Sequence, residues 1–183
     1  MCRQICSSQD EVDALLARLK ITACPHCKRV GTLIRHGVLR GNDNHHPREK
    51  SVRAYRVFCS NRNRAIGCGR TLSVWLPSSV KRLFLTADSL WAFLKQAALS
   101  GNKMRSFRSL HSGLSDSAPY RIWKRFLLAQ SAIRTALCTL CKPPDNASER
   151  PAELTLAHLE TAMERHSLGP VAAFQVTLQT SFV

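Results

Sequence analysis

A chain of 183 residues is one domain or two small ones, and at 44% hydrophobic it can bury a core, which excludes global disorder. No apolar run reaches the roughly eighteen residues of a membrane span, and residues 1–13 lack the apolar stretch of a secretory signal. Eight cysteines without such a signal point to a reducing, cytoplasmic setting, where thiols bind metal or lie buried rather than pair as disulfides.

The formal charge of +15 is unevenly placed. Residues 14–142 carry 24 Lys and Arg against four acids, Asp43, Glu49, Asp88 and Asp116, while residues 1–13 and 143–183 are both net acidic. A segment this basic repels itself unless it meets a polyanion. Neutralised phosphates release counterions, so nucleic acid is the expected partner, and the expected location is the cytoplasm, with the nucleoid. The bland alternative is a solvated basic face. A membrane surface fits less well, because the basic stretch has no long amphipathic helix.

In chain order, Ser8-Gln9-Asp10-Glu11 reads as a capping box with Ser8 as N-cap. Val12, Leu15, Leu16 and Leu19 follow at helical spacing, so residues 1–20 are expected to hold one short amphipathic helix. Residues 21–80 read as strands and turns, with β-prone runs at 32–39, 52–58 and 71–76 and a polar loop at 40–47. From Thr86 the pattern is helical. Thr86 caps a helix bearing Leu90, Trp91, Phe93 and Leu94 that stops at Ser100-Gly101-Asn102. A second short helix spans 104–111. A long one follows the N-cap candidates Ser115, Asp116 and Ser117, with Pro119 in its first turn and a stripe of Ile122, Phe126, Ala129, Ile133, Leu137 and Leu140. Pro143-Pro144 should end it, closing a helical module over 84–142. Residues 143–183 are expected to hold a helix near 152–166, then a short strand or extended arm over 171–183.

Cys24-Pro25-His26-Cys27 is a C-x2-C knuckle, and Cys59 and Cys68 close the β-rich segment that it opens. Two cysteine pairs joined by strands are the pattern of a structural zinc site, in which four thiolates hold one tetrahedral Zn2+. The second pair has eight residues between its cysteines, so Ser60 to Ile66 must bulge out. With four cysteine ligands no coordination position stays open, so the metal is expected to be structural rather than catalytic. His26, His36, His45 and His46 are rival ligands. A second site from Cys2, Cys6, Cys138 and Cys141 is conceivable, but buried or idle thiols are the preferred reading.

Residues 104–126 have the layout of a helix-turn-helix, with Gly113 in the turn and Leu114 placed to plug the interhelical angle. Ile122 and Phe126 face inward. Ser117, Tyr120, Arg121, Lys124 and Arg125 lie around the other side, where a recognition helix needs donors for base edges and phosphates. Arg62, Arg64 and Arg70 of the second knuckle are further candidates for phosphate contacts. A plain helical hairpin with a basic face is the alternative.

The C-P-x-C knuckle, Ile34-Arg35-His36-Gly37, Tyr55-Arg56-Val57-Phe58-Cys59 and Gly67-Cys68-Gly69-Arg70-Thr71-Leu72-Ser73 together resemble the N-terminal zinc ribbon of bacterial insertion-sequence transposases. The stretch from Gly113 to Phe126 is similar to the helix-turn-helix that follows the ribbon there. The resemblance covers about residues 22–128 and implies binding to DNA, often at terminal inverted repeats. The widened second knuckle departs from the pattern. The catalytic part does not carry over. Such chemistry uses three carboxylates and two Mg2+ on an α/β core, and the 41 residues after Lys142 are too few for it. Asp43, Asp88 and Asp116 read as turn or cap residues. No Ser-His-Asp or Cys-His arrangement and no phosphate-cradling Gly loop is legible.

The expectation is therefore an α+β protein that is not an enzyme: a zinc ribbon followed by a helical bundle with a helix-turn-helix. It binds double-stranded DNA with some sequence preference, as an accessory or regulator of a mobile element. A separate transposase catalytic subunit is a possible partner. The alternatives are a non-catalytic transposase fragment acting as a protein adaptor, or an RNA-binding ribbon. Trp75, Trp91, Trp123 and Phe126 fit core stripes, which disfavours RNA. The oligomeric state is not legible.

Overall fold

In the computed structural model, which describes residues 3–42, 49–110, 112–145 and 149–183, four strands and six helices form an α+β protein. The strands are β1 (Arg3–Ile5), β2 (Leu33–Asn42), β3 (Lys50–Cys59) and β4 (Thr71–Trp75), in the sheet order β1-β4-β3-β2. β2, β3 and β4 form an antiparallel meander, and β1 joins parallel to β4. The meander follows the expected β-prone runs closely. Its alternating positions Leu33, Val57, Cys59, Leu72 and Val74 are buried together with Val12, Leu16 and Leu19 of the first helical segment.

The N-terminal helix α1 (Gln9–Ala17) starts where the capping box predicts. Ser8 accepts from the Glu11 amide at 3.1 Å, while the Glu11 carboxylate reaches one residue further back, to the Ser7 amide at 2.6 Å. β1 was not expected. Three residues are too few to show a period of two, and the partner strand lies about seventy residues away in sequence. Its outer edge is closed by Gln179. The Ile5 amide donates to Gln179 Oε1 at 2.9 Å, and Gln179 Nε2 donates to the Ile5 carbonyl at 2.8 Å. A side-chain amide offers the same donor and acceptor as a peptide, so it extends the ladder by one rung.

The second core is helical. It is built from α2 (Ala87–Ser100), α3 (Lys103–Arg108), α4 (Ala118–Cys138), α5 (Pro151–Met163) and α6 (Pro170–Leu178). Thr86 caps α2 through the Ser89 amide at 3.2 Å, and Gly101, at φ 67, ends it in the left-handed conformation. α4 buries Ile122, Phe126, Ile133 and Leu137 of the expected stripe, with Gln130 among them, while Ala129 is half-buried and Leu140, past the helix end, is exposed. It stops at Cys138, short of the proline pair, and the Thr139 hydroxyl donates to the Ala136 carbonyl at 2.7 Å. Ser117 holds the N-cap position of α4 without a side-chain capping bond.

The C-terminal segment corrects the sequence reading. Residues 170–178 are a helix, not a strand or arm. Pro170 stands at its first position, and Val171 to Gln175 are all buried, so burial on every side removes the amphipathic period. Beyond it Phe182 stacks on Phe126 at 6.2 Å and meets Phe174 edge-on at 5.3 Å. The tail thereby belongs to the same core as α2 and α4.

Arg53 fastens the sheet to the helices. Its guanidinium donates to the carbonyls of Val80 (3.2 Å), Leu83 and Leu85 (3.4 Å). Gly41 leaves the space its side chain needs, since a Cβ there would collide with Arg53 Cδ.

Candidate metal centre and basic surface

The four cysteines converge as expected. The sulfurs of Cys24, Cys27, Cys59 and Cys68 all lie within 4.8 Å of one another. The first knuckle follows α1 and is a tight turn: Lys28 donates to the Cys24 carbonyl at 2.8 Å and Cys24 donates to the Arg29 carbonyl at 2.9 Å, with Lys28 in the left-handed region at φ 62. The second knuckle begins at the end of β3. Gly67 donates to the Ser60 carbonyl at 2.8 Å and Gly69 to the Cys59 carbonyl at 2.9 Å. That pinch cuts residues 61–66 out as a side loop. The long spacing between Cys59 and Cys68 is thus shortened to an ordinary knuckle in space. Glycine is required at 67, because a Cβ would meet both the Ser60 carbonyl and the Cys59 sulfur. Arg29 Nη1 donates to the Ile66 carbonyl and ties the side loop to the first knuckle.

The sulfur geometry fits zinc. A tetrahedron with Zn–S of about 2.3 Å has edges of about 3.8 Å. Cys24 and Cys68 are 3.8 Å apart and Cys27 and Cys59 are 3.7 Å apart. The outer shell also suits thiolates. The Cys68 amide and the Thr32 hydroxyl each lie 3.2 Å from the Cys59 sulfur. In the metal-free chain, burial pushes the Cys24 thiol up to about 11, against the backbone amides of Cys27 and His26 that favour its thiolate. Burial also raises Cys59, but hydrogen bonds from Thr32, the Cys68 amide and the neighbouring thiols together outweigh it and bring Cys59 down to about 7.

Of the rival ligands, His26 and His36 do not join the sulfur cluster. His26 lies 3.5 Å from Arg70 Nη1, and His36 packs on Phe58 with ring centroids 5.3 Å apart. His45, His46, Asp43 and Cys2 lie outside the described residues. Cys6 is buried in the sheet core, where burial and the charge of Glu11 push its thiol up to about 11. Cys138 is exposed and Cys141 half-buried, and neither joins a metal cluster among the described residues.

The candidate DNA residues fall on two faces. Arg62, Arg64 and Arg70 are exposed on the ribbon, with Arg62 lying over the Phe58 ring at 5.6 Å. Arg62 and Arg64 ride on the extruded side loop, where Asn63 and Arg64 both take left-handed backbone. On α4, Ser117, Tyr120, Arg121 and Lys124 are exposed and Arg125 is half-buried. Arg121 donates to the Ser115 hydroxyl at 3.3 Å and Arg125 to the Arg82 carbonyl at 3.3 Å. α3 has six residues, and residues 109–117 separate it from α4, a wider connection than the three or four residues of the usual helix-turn-helix. Phe126 is fully buried, but Trp75, Trp91 and Trp123 are half-buried rather than core residues, and Lys95 and Lys103 lie over Trp91 and Trp123 at 5.4 and 5.5 Å.

Sequence reasoning missed Arg82 and Phe84. Both are exposed on the stretch between β4 and α2, next to Arg121 and Arg125. Their signal is the run Lys81-Arg82-Leu83-Phe84, in which charge sits beside an aromatic that no core stripe claims. No helix among the described residues is long and apolar enough to cross a membrane. No family model matches this chain, and no curated protein and no solved structure matches it.

Proposed function

We propose that this chain is a DNA-binding protein folded around one structural Zn2+ held by Cys24, Cys27, Cys59 and Cys68. In this reading it binds duplex DNA with some sequence preference, as an accessory or regulator of a mobile element, and leaves the chemistry to a separate catalytic subunit. The observation that carries the reading is a basic surface without internal compensation. Arg62, Arg64, Arg70, Arg121, Lys124 and Arg125 make no ion pair among the described residues, in a chain of net charge +15. Zinc with four cysteine ligands keeps no position for water, so its part is to fold the ribbon and present the arginines. The first turns of α4 would enter a groove, with α3 as the supporting helix of a widened helix-turn-helix. Arg121 would read a base edge, and Lys124, Arg125 and the knuckle arginines would meet phosphates. Asp116 is engaged by Arg108 at 3.8 Å and Asp88 sits in the first turn of α2, which supports structural roles for both.

Selection of binding sites from a random duplex pool tests the reading. The wild type should enrich a motif. Arg121→Ala should flatten that preference by roughly 1–3 kcal/mol, while Arg62→Ala and Arg64→Ala should weaken all sequences alike. Failure of the wild type to enrich any motif would remove the sequence preference. One observation favours the protein-adaptor reading: Leu127 and Leu128 are 47% and 76% exposed on α4. In that case Leu128→Lys would abolish association with a protein partner and leave DNA binding intact.

A further inference from the structure

The seam between the sheet and the helices carries two adjoining cavities, of about 230 and 210 Å3. Arg82, Leu83 and Phe84 line both. On the ribbon side the wall is Arg40 and Trp75, and on the helical side it is Arg121 and Arg125. Among the described residues, neither cavity is lined by an aspartate or glutamate. The floor is apolar and fixed, since Leu83, Ala118 and Ile122 are buried. Phe84 stands between the buried Leu83 and Leu85, yet it is 49% exposed. The loop is held from both sides, by Arg125 on the Arg82 carbonyl and by Arg53 on the Leu83 and Leu85 carbonyls. Five arginines, Arg53 among them, and two rings, exposed Phe84 and half-buried Trp75, therefore line two adjoining cavities that share Arg82, Leu83 and Phe84.

Guanidinium groups hold phosphates, and ring faces hold unstacked bases. A channel with both in succession matches a single strand, because a duplex keeps its base faces stacked inside. We propose that this seam is a track for a short run of single-stranded DNA, with phosphates on Arg40 and Arg82 and unpaired bases against Phe84 and Trp75. Arg121 stands at the rim between this track and the exposed face of α4. The inference rests on the DNA-binding reading and adds to it a preference for DNA that carries an unpaired segment next to the duplex.

Fluorescence anisotropy on the full, zinc-loaded chain tests it with three probes: a blunt duplex, the same duplex extended by a single-stranded thymidine arm, and free oligothymidylate. The arm should raise affinity roughly tenfold, in line with stacking of one or two bases. Phe84→Ala and, separately, Arg82→Gln should remove most of that gain and leave blunt-duplex affinity within about twofold. Zinc content and far-UV circular dichroism establish that each variant is folded. An arm that adds nothing, or a gain that survives both variants, overturns the track while blunt-duplex binding still upholds the duplex reading. Binding of oligothymidylate without binding of the blunt duplex upholds the track and overturns the duplex reading. Thymidine monophosphate displacing the arm as well as oligothymidylate does, at equal nucleotide concentration, would reveal a mononucleotide pocket and overturn the track.

Discussion

The ribbon and the helical bundle have unlike cores. The bundle buries Phe93, Phe126, Phe174 and Phe182 with many aliphatic side chains, and its helices cover one another on most sides. The ribbon has one helix on one face of a small sheet, and the largest residues of its core are leucines and a tyrosine. A core of that size supplies little stability by itself, and a bound metal would add to it. The difference teaches where information sits in this chain. In the ribbon it is concentrated in four cysteines and the glycines that let them meet, whereas in the bundle it is spread over an apolar pattern.

Removal of the metal should have the largest effect. Zinc in such a site contributes on the order of 10 kcal/mol of apparent binding energy that is also folding energy. Cys27→Ser should unfold the ribbon and abolish zinc uptake while the helical circular dichroism largely persists. Cys141→Ser should retain full zinc content. Loss of the helical signal in step with the metal would show that the two cores are not separable. Zinc affinity should rise with pH, because ligand protons must leave. The Cys24 thiol, pushed up to about 11 in the metal-free chain, is still protonated at neutral pH and must release its proton on binding.

A smaller effect belongs to the seam. Arg53 satisfies three carbonyls of the stretch that joins β4 to α2. Arg53→Met keeps the bulk of the stem and removes the donors. It should cost about 2–3 kcal/mol in denaturant unfolding. An unchanged midpoint would mean that water replaces the guanidinium without loss.

The parts of the fold that could be read were those with a local rule. The knuckle Cys24-Pro25-His26-Cys27, the cap at Thr86 and the stripe from Ile122 to Leu137 each announce themselves within a few residues. The parts that could not be read depend on distant partners. β1 is a strand only because β4 and Gln179 flank it. α6 is buried on nearly every side, so no periodicity marks it, and its Gly169-Pro170 start was the available clue. The same holds for the candidate site. The sulfur cluster followed from spacing, and the extruded loop at 61–66 followed from its excess length. The cleft around Arg82 and Phe84 arises where β4, α4 and the intervening loop meet, and no linear motif records that meeting.

We propose that the basic surface meets nucleic-acid phosphates, and the dependence of duplex affinity on salt is the direct test. If roughly six phosphates are neutralised, the slope of log K against log salt should be about −5. Arg62→Ala with Arg64→Ala should make that slope shallower by about one to two. A slope near zero for the wild type, from low to moderate salt, would contradict the claim and leave the arginines as a solvated surface.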